Sequence, residues 1–133
     1  MIAGIGVDLV EVSRLQDAPN RERLLARLFT AGEVQDCRGA QRWQSLAARL
    51  AAKEAVVKAL GTGLRGMRWH DIEVVRDDLG RPQVRLAGGA ARRAEALGVA
   101  EVLISLSHTR SHAVAQAVAL RLDAASRREG SPS

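Results

Sequence analysis

The sequence predicts an α+β fold in a single domain, with a mainly antiparallel sheet packed on one long helix. Three observations carry that expectation. One strand pattern opens the chain, most other strand patterns come late, and a sustained helical periodicity runs over residues 44–60. With 133 residues, 47% of them hydrophobic, the chain can bury a real core and is too apolar to be disordered.

Residues 2–10 read as a strand, with Ile2, Gly4, Gly6 and Asp8 on one face and Ala3, Ile5, Val7 and Leu9 on the other. Its glycines permit a neighbouring backbone or a ligand to come close. Pro19-Asn20 punctuates the chain, and Asn20 is placed to cap a helix through Leu28. The apolar side of that helix is Leu24, Leu25 and Leu28; Arg21, Arg23 and Arg27 decorate the rest. A short helix is expected at 31–36, then the long helix, which Gly61 can end in the left-handed conformation. Residues 61–66 form a flexible connector. Residues 69–76 and 83–86 read as a hairpin around 77–81, with Pro82 suited to an edge or strand-start position. A helix over 88–97 stops at Gly98. Two last strands, 101–107 and 113–120, are joined by residues 108–112. Ala113, Ala115, Ala117 and Ala119 share one face of the final strand, a smooth surface for a closely packed helix. The domain is expected over residues 1–120, with residues 121–133 as a flexible C-terminal tail.

The net charge of +5 and pI near 10.9 favour an acidic partner: nucleic acid, a phosphorylated ligand or an acidic protein. Phe29, Trp43 and Trp69 are the only aromatics, too few for the stacking platforms of a single-strand binder. A basic nucleic-acid module is the rival reading; it would bind in a salt-sensitive way without magnesium. Cys37 stands alone, so no internal disulfide and no Cys/His zinc site is expected. With neither a membrane-length apolar run nor a signal-peptide pattern, a cytoplasmic location is expected.

Glu54 is out of place. The periodicity of the long helix puts Leu46, Leu50 and Val57 on one stripe, beside Ala47 and Ala51, and Glu54 falls on it. A carboxylate turned toward a core loses hydration unless something compensates. Asp8 is a second acid of this kind, near the end of an apolar strand. Two inward acids on separate elements point to a divalent-metal site. Magnesium takes one or two carboxylates and fills its octahedron with water and phosphate oxygens, the arrangement phosphoryl transfer needs. The alternatives are a helix N-cap for Asp8 and an intrahelical pair with Lys58 for Glu54. Arg49 and Lys53 form one i,i+4 row and Glu54 and Lys58 another; Arg49, Lys53 and Lys58 around an inward carboxylate could hold a phosphate-rich ligand or be a solvated basic face. Gly61-Thr62-Gly63 could admit a ligand to the backbone. His108 closes the face Val102, Ile104, Leu106, where it could bind phosphate, move a proton or simply bond the turn.

Three segments together resemble the holo-[acyl-carrier-protein] synthases, the small 4′-phosphopantetheinyl transferases. They are Gly4-Ile-Gly-Val-Asp-Leu-Val-Glu-Val-Ser-Arg14, Ala48-Arg-Leu-Ala-Ala-Lys-Glu-Ala-Val-Val-Lys-Ala-Leu-Gly61, and Ile104-Ser-Leu-Ser-His-Thr109 followed by Ala113-Val-Ala-Gln-Ala117. The resemblance implies transfer of the phosphopantetheine arm of coenzyme A to a serine of an apo acyl carrier protein, with release of adenosine 3′,5′-bisphosphate. It implies Asp8 and Glu54 as magnesium ligands, Lys58 at the pyrophosphate and His108 near the coenzyme. Arg49 and Pro82 match positions that meet coenzyme A from a neighbouring subunit of a trimer. Lys53, Gly61, Thr62 and Thr109 complete the expected coenzyme-binding set, and Glu54, Lys58 and His108 the catalytic set. Arg14, Arg21 and Arg27 match basic positions that dock the acidic helix of the carrier. The family's usual Gly-Arg-Phe reads Ala48-Arg49-Leu50 here, which changes packing behind the site and removes no ligand. The general base is left open between Glu54 and a water, and the carrier between fatty-acid, polyketide and peptide types.

Overall fold

Small residues let one helix and one sheet come unusually close, and the other described elements pack around that contact. The computed structural model describes residues 1–122. β1 (Ile2–Glu11) leads through the short α1 (Ser13–Gln16), α2 (Arg21–Leu28) and α3 (Ala31–Asp36) to the long α4 (Arg42–Leu60). A 3-10 turn (Trp69–Asp71) opens the hairpin of β2 (Ile72–Arg76) and β3 (Pro82–Leu86); α5 (Gly88–Ala96), β4 (Val99–His108) and β5 (His112–Arg121) follow. The main sheet is antiparallel in the order β1-β5-β4, and β2-β3 forms a separate ribbon.

α4 lies across the main sheet. A Cβ added at Gly4 or Gly6 would fall 2.0 Å from the carbonyl oxygen of Ala59 or Ala55, so only glycine permits this approach. The four alternating alanines of β5 are all buried under the same helix. Thirteen of the nineteen α4 residues are buried, so this helix is covered on more than one stripe, while Lys58 stays exposed. Leu46, Leu50, Val56 and Leu60 are fully enclosed, each worth roughly 1.5–3 kcal/mol relative to exposure.

The expected elements are present, with differences at their ends. α1 was not anticipated; four residues are too few to show a period. Asn20 sits before α2 with φ of 52° and makes no side-chain cap. The cap forms one helix later, where Thr30 and Glu33 make a reciprocal capping box on α3. Gly61 ends α4 at φ of 82° as expected. Of the expected tail, Arg121 still belongs to β5 and residues 123–133 lie outside the described residues.

Candidate active site

The register of the main sheet places the acids and the histidine. Asp8 pairs with Ala115, which pairs with Leu106; in the next row Val10 pairs with Ala113 and Ala113 with His108. Directly opposed residues share a face, so Asp8 and His108 both lie on the side covered by α4, with β5 between them. Glu54 descends from α4 to meet Asp8. Their side chains are 17% and 13% exposed, within hydrogen-bonding reach of each other. Lys58 Nζ donates to Asp8 Oδ1 at 2.9 Å and to the Val7 carbonyl at 3.0 Å. Arg14, from α1, donates to Glu54 Oε1 at 3.1 Å. Asp8 is therefore a strand residue rather than a helix cap, and Lys58 pairs with it rather than with Glu54.

This cluster is not electrostatically closed. Burial, and then the neighbouring Asp8 carboxylate, push Glu54 up to about 7, against the pull of Arg14. Burial also pushes Asp8 upward, but hydrogen bonding to Glu54 and the charges of Lys58 and Arg14 outweigh it and hold Asp8 below its ordinary value. Asp8 Oδ2 is buried with no hydrogen-bond partner among the described residues. Two converging carboxylates and an orphaned oxygen fit a hard divalent cation such as Mg2+. Among the described residues no third His, Cys, Asp or Glu joins them, so other ligands would be water or phosphate oxygens.

A second cleft, of about 210 Å³, lies where α4 meets β3 and β4. Ser45, Arg49, Arg76, Pro82, Ser107 and His108 line it. The structure thus brings together Arg49, Pro82 and His108, which stand 33 and 26 residues apart in sequence. Arg49 is buried, donates to the Val74 carbonyl at 3.1 Å and lies 3.6 Å from Asp36. Arg76 is an unanticipated member. Its signal was available, because the inward face Ile72, Val74 continues to Arg76 at period two.

The two groups do not meet within one chain. Arg49 and Lys58 are nine residues apart, roughly half a turn out of phase on the helix. Gly61 and Thr62 sit one turn beyond Lys58, on its end of α4. Thr109 serves its turn: its hydroxyl accepts from the backbone N–H of Ser111 and His112 at 3.3 and 3.1 Å.

Lys53 is a correction. The sequence suggests it as a ligand-binding cation, but its side chain is fully buried and paired with Glu33 of α3. It also donates to the Leu28 carbonyl at 2.8 Å and lies 5.2 Å from the centre of the Phe29 ring. The reason is that α3 and β2 cover the face of α4 opposite the sheet, so that Lys53 meets Glu33, the Leu28 carbonyl and the Phe29 ring rather than solvent or ligand. Of the arginines expected to dock a carrier, Arg27 is exposed on α2, while Arg21 donates to the Gln16 carbonyl at 2.9 Å and stacks over Trp43.

Comparisons with known proteins bear on the family and the fold. The model of the 4′-phosphopantetheinyl transferase superfamily matches residues 4–117. A holo-[acyl-carrier-protein] synthase from Desulforudis audaxviator is 52% identical, over 90% of this chain and 94% of its own length. One from Moorella thermoacetica is 53% identical, over 86% and 90%. Among solved structures, the holo-[acyl-carrier-protein] synthase of Neisseria meningitidis superposes with a TM-score of 0.82 at 31% identity, covering 91% of this chain and all of that one. That of Bacillus anthracis, solved in complex with CoA (3′,5′-ADP), gives 0.75 at 32% identity, covering 92% and 99%.

Proposed function

This chain belongs to the holo-[acyl-carrier-protein] synthases of the 4′-phosphopantetheinyl transferase superfamily, and from that premise we propose how its residues divide the reaction. The substrate is coenzyme A and the acceptor a serine of an acidic apo acyl carrier protein. The products are the holo carrier and adenosine 3′,5′-bisphosphate. The observation that carries this reading is the open acid pair: Asp8 and Glu54 converge with one buried oxygen left unpartnered.

Asp8 and Glu54 would hold Mg2+, which when bound offsets charge on the pyrophosphate. Lys58 spends two of its three N–H donors on Asp8 and Val7, leaving the third for a phosphate oxygen. The serine proton would pass to Glu54 or to a water beside it. The serine oxygen then forms a bond to the phosphorus that carries the pantetheine arm, and the bond from that phosphorus to the nucleotide oxygen breaks. Arg49, Arg76, Pro82 and His108 hold the coenzyme from the other cleft. Arg14, Arg21 and Arg27 face the acidic carrier from α1 and α2.

Because the two clefts lie on opposite sides of α4, a complete site needs a second copy, and we assign the chain to a homotrimer with sites between subunits. The outer face of the main sheet supports this. Ile5, Val7 and Leu9 are exposed there, in register with Val118, Gln116 and Val114 of β5. An apolar face of this kind marks an interface. Ile5→Glu together with Leu9→Glu is expected to give monomers in analytical ultracentrifugation, and to lose transfer with them. A cytoplasmic setting is in keeping with a lone, buried Cys37.

Intact-protein mass spectrometry tests the reaction. An apo acyl carrier protein incubated with this chain, coenzyme A and Mg2+ should gain one phosphopantetheine, and chelator should abolish the gain. No gain with fatty-acid, polyketide and peptide carriers alike, from folded protein, would defeat the proposal.

A further inference from the structure

Arg14 stands in two places at once. Its position on α1 is one of those proposed to face the carrier, yet its guanidinium is turned inward onto Glu54 Oε1 at 3.1 Å. The contact is a single hydrogen bond, from a side chain 54% exposed to one 17% exposed. Beyond that bond Arg14 has the charge of nearby Asp8 but, among the described residues, no other side-chain hydrogen bond, and α1 is only four residues long. The guanidinium therefore neutralises Glu54 from outside, at the carboxylate where a divalent cation would do so from within. Guanidinium and cation would repel each other across the same carboxylate. An Arg14 displaced from Glu54 regains all its N–H donors for another carboxylate partner.

We propose that Arg14 couples the two binding events: it pairs with Glu54 in the cation-free protein, is released when a divalent cation takes Glu54, and then engages the acidic carrier. Cation and carrier therefore strengthen each other's binding, by the same factor in both directions. This rests on the functional reading above, because it assumes both the cation site and the docking face. Arg14 acts here as a positioning residue. The cost of breaking its bond to Glu54 falls on whichever ligand binds first.

The test is isothermal titration calorimetry of the full chain with Mg2+ alone, and with an apo acyl carrier protein in the presence and absence of Mg2+. In the native chain Mg2+ should tighten carrier binding on the order of fivefold or more. Arg14→Gln should bind Mg2+ alone more tightly than the native chain and dock the carrier more weakly, with the coupling gone. Arg14→Lys, which keeps the charge, should restore part of the coupling; a purely structural role would not show this pattern. Independent binding of Mg2+ and carrier by the native chain overturns the coupling alone and leaves the functional reading intact. Coupling unchanged in Arg14→Gln overturns it equally. Failure of the native chain to bind Mg2+ or carrier at all overturns both.

Discussion

Lys53 and Glu54 are neighbours on α4 with opposite fates. Lys53 enters a closed polar cluster. Glu33 takes Lys53 and the Thr30 N–H on one oxygen and the Val74 N–H on the other, and Lys53 has the Leu28 carbonyl and the Phe29 ring besides. Burial pulls the Lys53 ammonium below its ordinary pKa, which Glu33 resists. Glu54 enters a cluster that stays open, with Asp8 Oδ2 unpartnered and Arg14 reaching in from the surface. A buried charge with every valence used joins elements together; one left incomplete is prepared for a ligand. A single residue of offset, 100° around the helix, separates the two roles.

The largest change is expected in the closed cluster. Lys53→Met leaves Glu33 buried without a counter-charge, which should cost about 3–5 kcal/mol, much of the ~5–15 kcal/mol typical of a domain. Adding Glu33→Gln should recover more than half in urea denaturation. If the double variant is no better than the single, the cluster is not governed by charge pairing.

At the open cluster the sign should reverse. Glu54→Gln removes repulsion against Asp8, so the cation-free protein should be as stable as the native chain or more so. The same change should cut transfer at least ~10³-fold, about 4 kcal/mol in the barrier. Asp8→Ala should likewise lose transfer and keep the fold. Near-normal rates at low Mg2+ in either variant would remove the cation-site assignment.

pH sharpens the contrast at smaller amplitude. Glu54 has its folded pKa raised from 4.5 to about 7, so the folded state holds a proton that the unfolded state has already lost between those values. Without Mg2+, that contribution to stability is present in full below about pH 4.5 and lost as pH rises to about 7. Asp8 is shifted downward, so its contribution is lost only below this window. Differential scanning calorimetry should show Tm falling across the window, and Glu54→Gln should flatten the slope. An equally steep slope in that variant would assign it to another group.

The smallest effect belongs to the exposed rim. Arg27→Glu should weaken carrier docking only a few-fold, in line with the ~1 kcal/mol or less of a surface ion pair. It should leave coenzyme A affinity unchanged. Equal losses in both would end the division between docking face and coenzyme cleft.

Much of the site was legible because its local rules are strict. The 3.6-residue period turned Glu54 inward, the period of two put Asp8 with Gly4 and Gly6, and it ran His108 on from Leu106. The close helix–sheet contact could be read from Gly4, Gly6 and the alternating alanines. Lys53 was misread for a reason periodicity does not contain: α3 and β2 close over the other face of α4. Glu33 gave no warning either, since a glutamate three residues after a threonine reads as an exposed capping box.

The sequence by itself determined the order of elements, the close packing of α4 on the sheet and the two inward acids, because dihedral periods and side-chain size act over a few residues. Only the tertiary structure decided which charge meets which. Lys53 finds Glu33 twenty residues away, Glu54 finds Arg14 at forty and Lys58 finds Asp8 at fifty. Such partners are chosen through space, where burial and distance set the electrostatic energy and separation along the chain does not.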